Sequence, residues 1–575
     1  MIRPFKTQWD IPEYSSEEKI QIKKLSEELG ISPTVGALLW ARGCKTEELM
    51  SSFLNPDVSS CHDPFLLPDM SAAVDRILQA LKHQEGILIH GDYDVDGISS
   101  AALLYWGFLA MGFKRVDFFL PNRMSDGYGV SEAALKKAKL NDMTLLVTSD
   151  CGVTAFEVVE KANVSNIDVI ITDHHEPKDS LPEALAVINP KRKDSLYPCK
   201  DLAGVGVAFK LLQALGVSDE LWDLVTLGTV ADVVPLLGEN RILVSKGLNE
   251  LSVTKKIGLK SLLSVCGLSG KPLNVGHIGF QIAPRINARG RLGDPSDVLK
   301  MFVSKDENFA YDIAQKLNDD NQERKAIEKN ILEEAHQMIK ENIDGNYQGK
   351  VLVLYKPHWH EGVIGIVASR LLEAYYKPVI MMAGSEGNIA KASCRSIPSF
   401  NILDALNDSK TFLHKYGGHA CAAGFSMSPE NVDSLRDHIN TYADKSIQDN
   451  QMFRKIRVDM DVDFDNLSLN LYSEIQKLAP FGAANETPVF LSKNVRLLMR
   501  PRLLKEKHLR LQIGGEKGSK LTVMAFGKGD FFEEFDQVFL KKRSINILYQ
   551  MNLNEWQGQI SLQLFLKDWQ YSNED

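Results

Sequence analysis

Between about residues 70 and 235, short apolar runs alternate with segments of helical spacing. The runs GILIH (86–90), TLLVTSD (144–150), IDVIITDHH (167–175) and AVINP (186–190) read as strands buried on both faces, since they are nearly continuous in branched apolar residues. Strand and helix in alternation predict a parallel sheet with crossover helices. The first three runs end in, or lead straight into, His or Asp, and open α/β sheets bind ligands beyond the carboxyl ends of their strands. Over 305–342 the apolar positions Ile313, Leu317, Ile327, Ile331, Ala335 and Met338 recur at helical spacing in a charged stretch without Pro or Gly, which predicts one long helix. KVLVLY (350–355), GVIGIVASRLLEAYY (362–376) and PVIMMA (378–383) then repeat strand, helix, strand. From about 453 onward, PVFLSKNVRLLMR, HLRLQIGG, KLTVMAFG, SINILYQMNLN and QISLQLFLKDW are separated by short polar turns, as in a small OB-like β-barrel. The first 70 residues read as helical around 16–29 and irregular beyond. The expected organisation is a leader (1–70), a catalytic α/β domain (71–304), a connecting helix (305–345), a second α/β domain (346–450) and the OB-like domain (451–575). The fold class is α/β, with its two α/β domains around a catalytic cleft.

Composition adds bounds. A chain of 575 residues, 44 % apolar and 25 % charged, needs several hydrophobic cores. The first twenty residues lack an apolar signal region, and no apolar run approaches the ~20 residues of a membrane span, so a cytoplasmic protein with no membrane partner is expected. Seven scattered cysteines without a CxxC pair suggest neither a disulfide framework nor a zinc ribbon. A net charge of −9 gives no global attraction for polyphosphate, so nucleic-acid binding must come from local basic clusters or from cations held by acidic groups.

His90-Gly-Asp92-Tyr-Asp94-Val-Asp96-Gly97 places an imidazole and three carboxylates on one turn at a strand end, just before a helical stretch. The three Asp and Gly97 also fill the first, third, fifth and sixth positions of an EF-hand loop, but Leu103 stands at the twelfth and a strand precedes the loop. Asp150, Asp173-His174-His175 and Asp232 supply the same ligand types at neighbouring strand ends or turns. Carboxylates crowded at a half-buried strand end repel one another unless divalent cations neutralise them. His and carboxylate together suit Mn²⁺ or Mg²⁺ better than structural zinc, and a shared carboxylate sets two ions ~4 Å apart.

DYDVDG, SDCG, the DHH triplet and GTVADVVPL resemble the four motifs of the DHH phosphoesterase family, and YGGHACAAGF (416–425) is similar to the glycine-rich signature of its DHH-associated domain (DHHA1), with Tyr416 where a first Gly is often found. LAGVGVAFKLLQAL (202–215), PRINARGRLGDP (284–295), WHEGVIGIVASRLLE (359–373) and LAPFGAANETPVF (478–490) are similar to the family's bacterial branch of single-strand-specific 5′→3′ exonucleases. Two places depart from that pattern: Cys394, where Gly is usual, and AANE (483–486), in a segment that usually reads EGNP.

The resemblance implies two divalent cations, Mn²⁺ or Mg²⁺. His90, Asp94 and Asp150 would hold one, Asp96, Asp150, His174 and Asp232 the other, with Asp150 bridging. It gives Asp92 an orienting or polarising part and His175 a contact with the scissile phosphate or leaving group. The implied reaction is hydrolysis of single-stranded DNA from the 5′ end to 5′-mononucleotides, in repair and recombination, with a helicase and a single-strand-binding protein as expected partners; the self-contained two-domain cleft suggests a monomer. Gly417, Gly418 and His419 suit close approach to phosphate. Arg285, Arg289, Arg291, Arg370, Arg395 and Arg123 are candidate phosphate clamps, with Arg123, Ser369 and Arg370 chosen for the 5′-phosphate. Lys493, Arg496, Arg500, Arg502, Lys505, Lys507 and Arg510 read equally as a solvated face or a single-strand track. Asp459, Asp461, Asp463 and Asp465 alternate, which predicts one solvated strand face. Two other functions are weighed: a phosphodiesterase for short oligonucleotides or cyclic dinucleotides, or a pyrophosphatase, against which the added basic barrel-like tail and leader argue, and a non-catalytic scaffold that kept the fold, against which the intact set His90, Asp94, Asp96, Asp150, His174 and Asp232 argues.

Overall fold

The computed structural model describes residues 6–121, 129–217, 219–341, 349–448 and 452–572. Arg123 lies outside them. The chain divides into two compact units, one formed by Ser15–Asn321 with Asn470–Thr487, the other by Met1–Tyr14, Gln322–Leu469 and Pro488–Asp575.

Strand β1 (Lys6–Asp10) belongs to the second unit. The first unit is built on β2 (Gly86–Gly91), β3 (Val116–Phe119), β4 (Met143–Ser149), β5 (Asp168–Thr172) and β6 (Ala186–Ile188), all parallel, in the order β3-β2-β4-β5-β6. Alternate side chains explain why both faces are covered. Ile87, Ile89, Leu145, Val147 and Ile170 pack with helices Met70–His83, Val95–Met111 and Gly204–Ala214. Leu88, Leu146, Val169 and Ile171 pack with helices Glu132–Leu140 and Phe156–Val164. The order also sets β2, β4 and β5 side by side at the centre, so the three strand ends that carry His and Asp open at one edge.

The N-terminal stretch departs from expectation. Helix Ser16–Glu28 is present, but the residues beyond it are not irregular: Pro33–Ala41 and Glu47–Leu54 are helices capped by Ser32 and Thr46. The predicted long helix runs over Glu307–Glu341, ~50 Å at 1.5 Å per residue. Leu317, Ile331 and Ala335 are buried along it.

In the second unit, β7 (Leu352–Lys356), β8 (Val379–Ser385), β9 (Ile389–Arg395), β10 (Leu413–His419) and β11 (Ala422–Met427) form a sheet in the order β10-β11-β9-β8-β7, with only β7 and β8 parallel. Strand β12 (Phe453–Arg457) pairs with β1. The stretch 459–465 does not form one strand face. Strand β13 is only Met460–Asp461, and the chain then turns into a 3₁₀ helix over Phe464–Asn466 because Asp463 caps it by accepting the Asp465 N–H. Lys493 pairs with Asp461 and Lys517 with Asp463.

The tail is a closed barrel. Strands β14 (Phe490–Leu497), β16 (His508–Gly514), β17 (Lys520–Ala525), β18 (Ser544–Trp556) and β19 (Gln559–Tyr571) join in the ring β14-β16-β17-β19-β18-β14, while β15 (Arg502–Leu504) adds to β16. With helix Phe532–Leu540 between its third and fourth ring strands, this is the five-stranded OB arrangement.

Candidate metal centre

The centre gathers at the carboxyl ends of β2, β4 and β5. After β2 the chain turns at Asp92-Tyr93, and Asp94 caps helix Val95–Met111 by accepting the Gly97 N–H at 3.0 Å. The turn is tight enough that a Cβ on Gly97 would fall 2.5 Å from the Asp92 nitrogen. This strand, turn and helix exclude an EF-hand, which needs a helix before the loop. Asp150 follows β4 in the left-handed region, φ 61°. Asp232 caps the carboxyl end of helix Trp222–Ala231.

Among the described residues, three groups have ligand atoms within 4.8 Å of one another: Asp92, Asp94 and Asp150; Asp150, His174 and His175; Asp96, His174 and Asp232. His174 Nε2 stands 3.1 Å from Asp150 Oδ1, 3.7 Å from Asp232 Oδ2 and 4.0 Å from Asp96 Oδ2. Asp150 Oδ1 is buried and accepts no hydrogen bond in proper geometry, which leaves a lone pair for a cation. Mixed imidazole and carboxylate donors, with Asp150 common to two groups, fit two divalent cations.

The electrostatics agree. Burial, then neighbouring carboxylates, push Asp96 and Asp150 well above the usual carboxylate range. Burial and Asp94 raise both Asp92 and Asp232 to about 7. Burial and the neighbouring His175 depress His174 to about 4, keeping it neutral and able to donate a lone pair. Burial opposes charge on His175 as well, but the hydrogen bond and charge of Asp173 outweigh it and raise that pKa.

Asp173, which the sequence offered only as one more candidate ligand type, is in none of the three groups and positions its neighbours instead. It accepts the N–H groups of Val153, His174 and His175, and His175 Nδ1 at 2.8 Å, so it fixes the backbone and ring of the histidine pair. Its place at the head of the DHH triplet was the available signal. Asp96 is likewise held by the N–H groups of Gly204 and Val205 at 2.7 and 2.9 Å. Gly204 must be glycine, because a Cβ there would meet Asp150 Cβ at 2.5 Å.

His90 and Asp92 stand differently from the implied roles. Asp92 joins Asp94 and Asp150, whereas His90 is in none of the three groups: its Nε2 accepts the Ser131 N–H at 3.2 Å and its Nδ1 faces Cys151 Sγ at 3.5 Å. His175, with 43 % of its side chain exposed, is the open member of the cluster.

The candidate phosphate clamps divide. Arg289 is engaged by Asp297 and Asp320, and Arg285 by the Gln281 carbonyl and Asn318. In the second unit, Arg370 is anchored through Nε to Glu328 and Ser369 bonds the Gly365 carbonyl. Arg395 donates to the Cys394 carbonyl, and Cys394 itself is wholly buried in the sheet core. Gly417, Gly418 and His419 lie exposed on β10, where Gly418, at φ 146°, leaves no room for a Cβ against the Ala422 carbonyl.

Three family models match the chain: the DHH family N-terminal domain over residues 86–229, the DHHA1 domain over 348–445 and the RecJ OB domain over 458–568. The single-stranded-DNA-specific exonuclease RecJ of Bacillus subtilis is 36 % identical over 98 % of this chain and 71 % of its own length. RecJ of Escherichia coli is 34 % identical over 87 % of this chain and 90 % of its own. The crystal structure of Thermus thermophilus RecJ with Mn²⁺ superposes with a TM-score of 0.83 at 28 % identity, covering 99 % of this chain and 80 % of that one; the Mg²⁺ complex gives 0.78. The chain belongs to the RecJ family.

Proposed function

We propose that the chain is a metal-dependent exonuclease that degrades single-stranded DNA in the 5′→3′ direction, releasing 5′-mononucleotides in DNA repair and recombination. The observation that carries this is the adjoining ligand groups that share Asp150, in a chain aligned almost end to end with relatives named single-stranded-DNA-specific exonucleases. Asp94 and Asp150, with Asp92 or His90, hold one cation; Asp96, Asp150, His174 and Asp232 hold the other. Bound Mn²⁺ or Mg²⁺ supplies an activated water and neutralises charge building on the phosphate. The chain's own residues do the rest. Asp173 keeps the His175 ring turned and its Nδ1 occupied, so the opposite ring edge serves the phosphate or leaving group.

Substrate contacts are assigned to Arg123, Ser369, Arg370, Arg395, Gly417, Gly418 and His419, with Arg285 and Arg289 supporting the helix that carries them through their present partners. The barrel supplies a further single-strand surface, as OB folds do. The protein is read as a cytoplasmic monomer supplied with single strands by a helicase and a single-strand-binding protein. No helix among the described residues is long and apolar enough to cross a membrane.

The test is single-stranded DNA carrying a 5′-phosphate and a 3′ label, incubated with Mn²⁺ beside a duplex control. Shortening of the single strand from its 5′ end, lost in Asp150→Ala, is expected. Hydrolysis of a dinucleotide in preference to the long strand would overturn the reading.

A further inference from the structure

The motif LAPFGAANETPVF was singled out in the sequence without a function. Its first ten residues, 478–487, lie late in the chain yet pack within the unit that holds the metal centre. Three side chains clamp them. Arg241, 2 % exposed, donates to the carbonyls of Leu478, Ala479 and Phe53 at 2.8, 2.7 and 2.9 Å. Arg42 donates to Asn485 Oδ1 at 2.6 Å and to the Glu486 carbonyl at 2.9 Å. Asn485, wholly buried, donates Nδ2 to the carbonyls of Leu478 and Pro480, and its backbone exchanges both hydrogen bonds with Gly482. Guanidinium and amide groups spent on main-chain carbonyls in this way fix a backbone path.

The tip of this strap is Gly482-Ala483. The Ala483 carbonyl accepts the N–H of Leu236 at 2.8 Å, and Gly482 lies so close that a Cβ would stand 2.5 Å from Leu236 Cδ1. Leu236 is four residues beyond Asp232. Between them the chain leaves its helix through Val233, at φ 62°, and Pro235, whose carbonyl accepts from Asn240. The turn that presents Asp232 therefore has one end in the helix and the other pinned by the strap.

We infer that the strap 478–487 is a positioning element for the Asp232 carboxylate, holding it with Asp96 and His174 as one cation position. The inference rests on the reading of those three residues as ligands of one ion. Residues behind a ligand set its geometry, and their loss typically weakens metal affinity ~10–100-fold.

The experiment is a Mn²⁺ binding isotherm on the full chain, with folding checked by circular dichroism. The wild type is expected to bind two ions. Asn485→Ala should weaken one site by about 10–100-fold and leave the other unchanged, and Asp232→Asn should weaken the same site. The double variant should bind no worse than Asp232→Asn alone, an outcome that general loosening of the fold would not give. An Asn485→Ala isotherm like the wild type, equal weakening of both sites, or losses that add in the double variant overturns the inference. Should Asn485→Ala fail to fold, Arg42→Ala, which removes only the outer clamp, is read in the same way. A wild type that binds fewer than two ions overturns the site reading itself, and shows this without any variant, so the two failures are distinct.

Discussion

At the residue scale, Asp150 is the group on which most depends. It belongs to two of the three ligand groups and carries a buried oxygen without a donor. Lewis-acid stabilisation is worth several kcal/mol, so at ~1.4 kcal/mol per decade Asp150→Asn should lower kcat/KM on single-stranded DNA by roughly a thousandfold or more, with Mn²⁺ binding lost in parallel. Asp173→Asn is a different case. It removes the charge that holds His175 but no ligand, so kcat should fall ~10–100-fold while the Mn²⁺ isotherm stays close to wild type. A comparable loss of both would make Asp173 part of the cation site. Asp92 and Asp232 also give a sign for pH. Both titrate near ~4 in an unfolded chain and at about 7 in the metal-free fold. Between those values the folded state binds more protons than the unfolded one, so its stability falls as pH rises. Melting in EDTA should therefore drop between about pH 5 and pH 7, and added Mn²⁺ should restore the loss.

At the scale of elements, the helix Gly204–Ala214 shows how much a glycine-rich motif can encode. Its first N–H groups hold Asp96, and its first residue leaves room for Asp150. Gly204→Val should leave the far-ultraviolet circular dichroism unchanged and abolish Mn²⁺ binding; normal binding would show that the contact can relax. Much of this region could be read from the chain alone, because buried parallel strands are apolar throughout and their carboxyl ends are marked by His and Asp. Helix Pro33–Ala41 was missed for a physical reason. PTVGALLWA is apolar on every side, so no helical period shows, and only Ser32 with Pro33 at its start signalled the helix. The alternating aspartates misled in the opposite way: Asp463 favours its own turn over a strand. Asp173 was visible as a letter of the motif, but the Val153 N–H that it also accepts comes from a loop twenty residues earlier, which a one-dimensional pattern does not connect to it.

At the scale of the whole molecule, chain order and spatial order differ. Strand β1, near the start of the chain, pairs in parallel with β12, and Thr7 and Trp9 both donate to Asp568 at 2.7 and 2.8 Å. Asp568 is 4 % exposed, so Asp568→Asn exchanges charge-assisted bonds for weaker ones at about 1–3 kcal/mol. The second unit should melt earlier while Mn²⁺ binding in the first is kept. The strap crosses the sequence in the other direction, since Leu236 meets Ala483 only after 247 further residues have been added. A ribosome adding ~5–20 residues per second reaches that point about 12–50 s after Leu236. Throughout that interval the nascent chain carries every carboxylate and histidine of the centre but not the segment that seats Asp232, so a nuclease being synthesised beside nucleic acid does not reach its working form until the strap has been made.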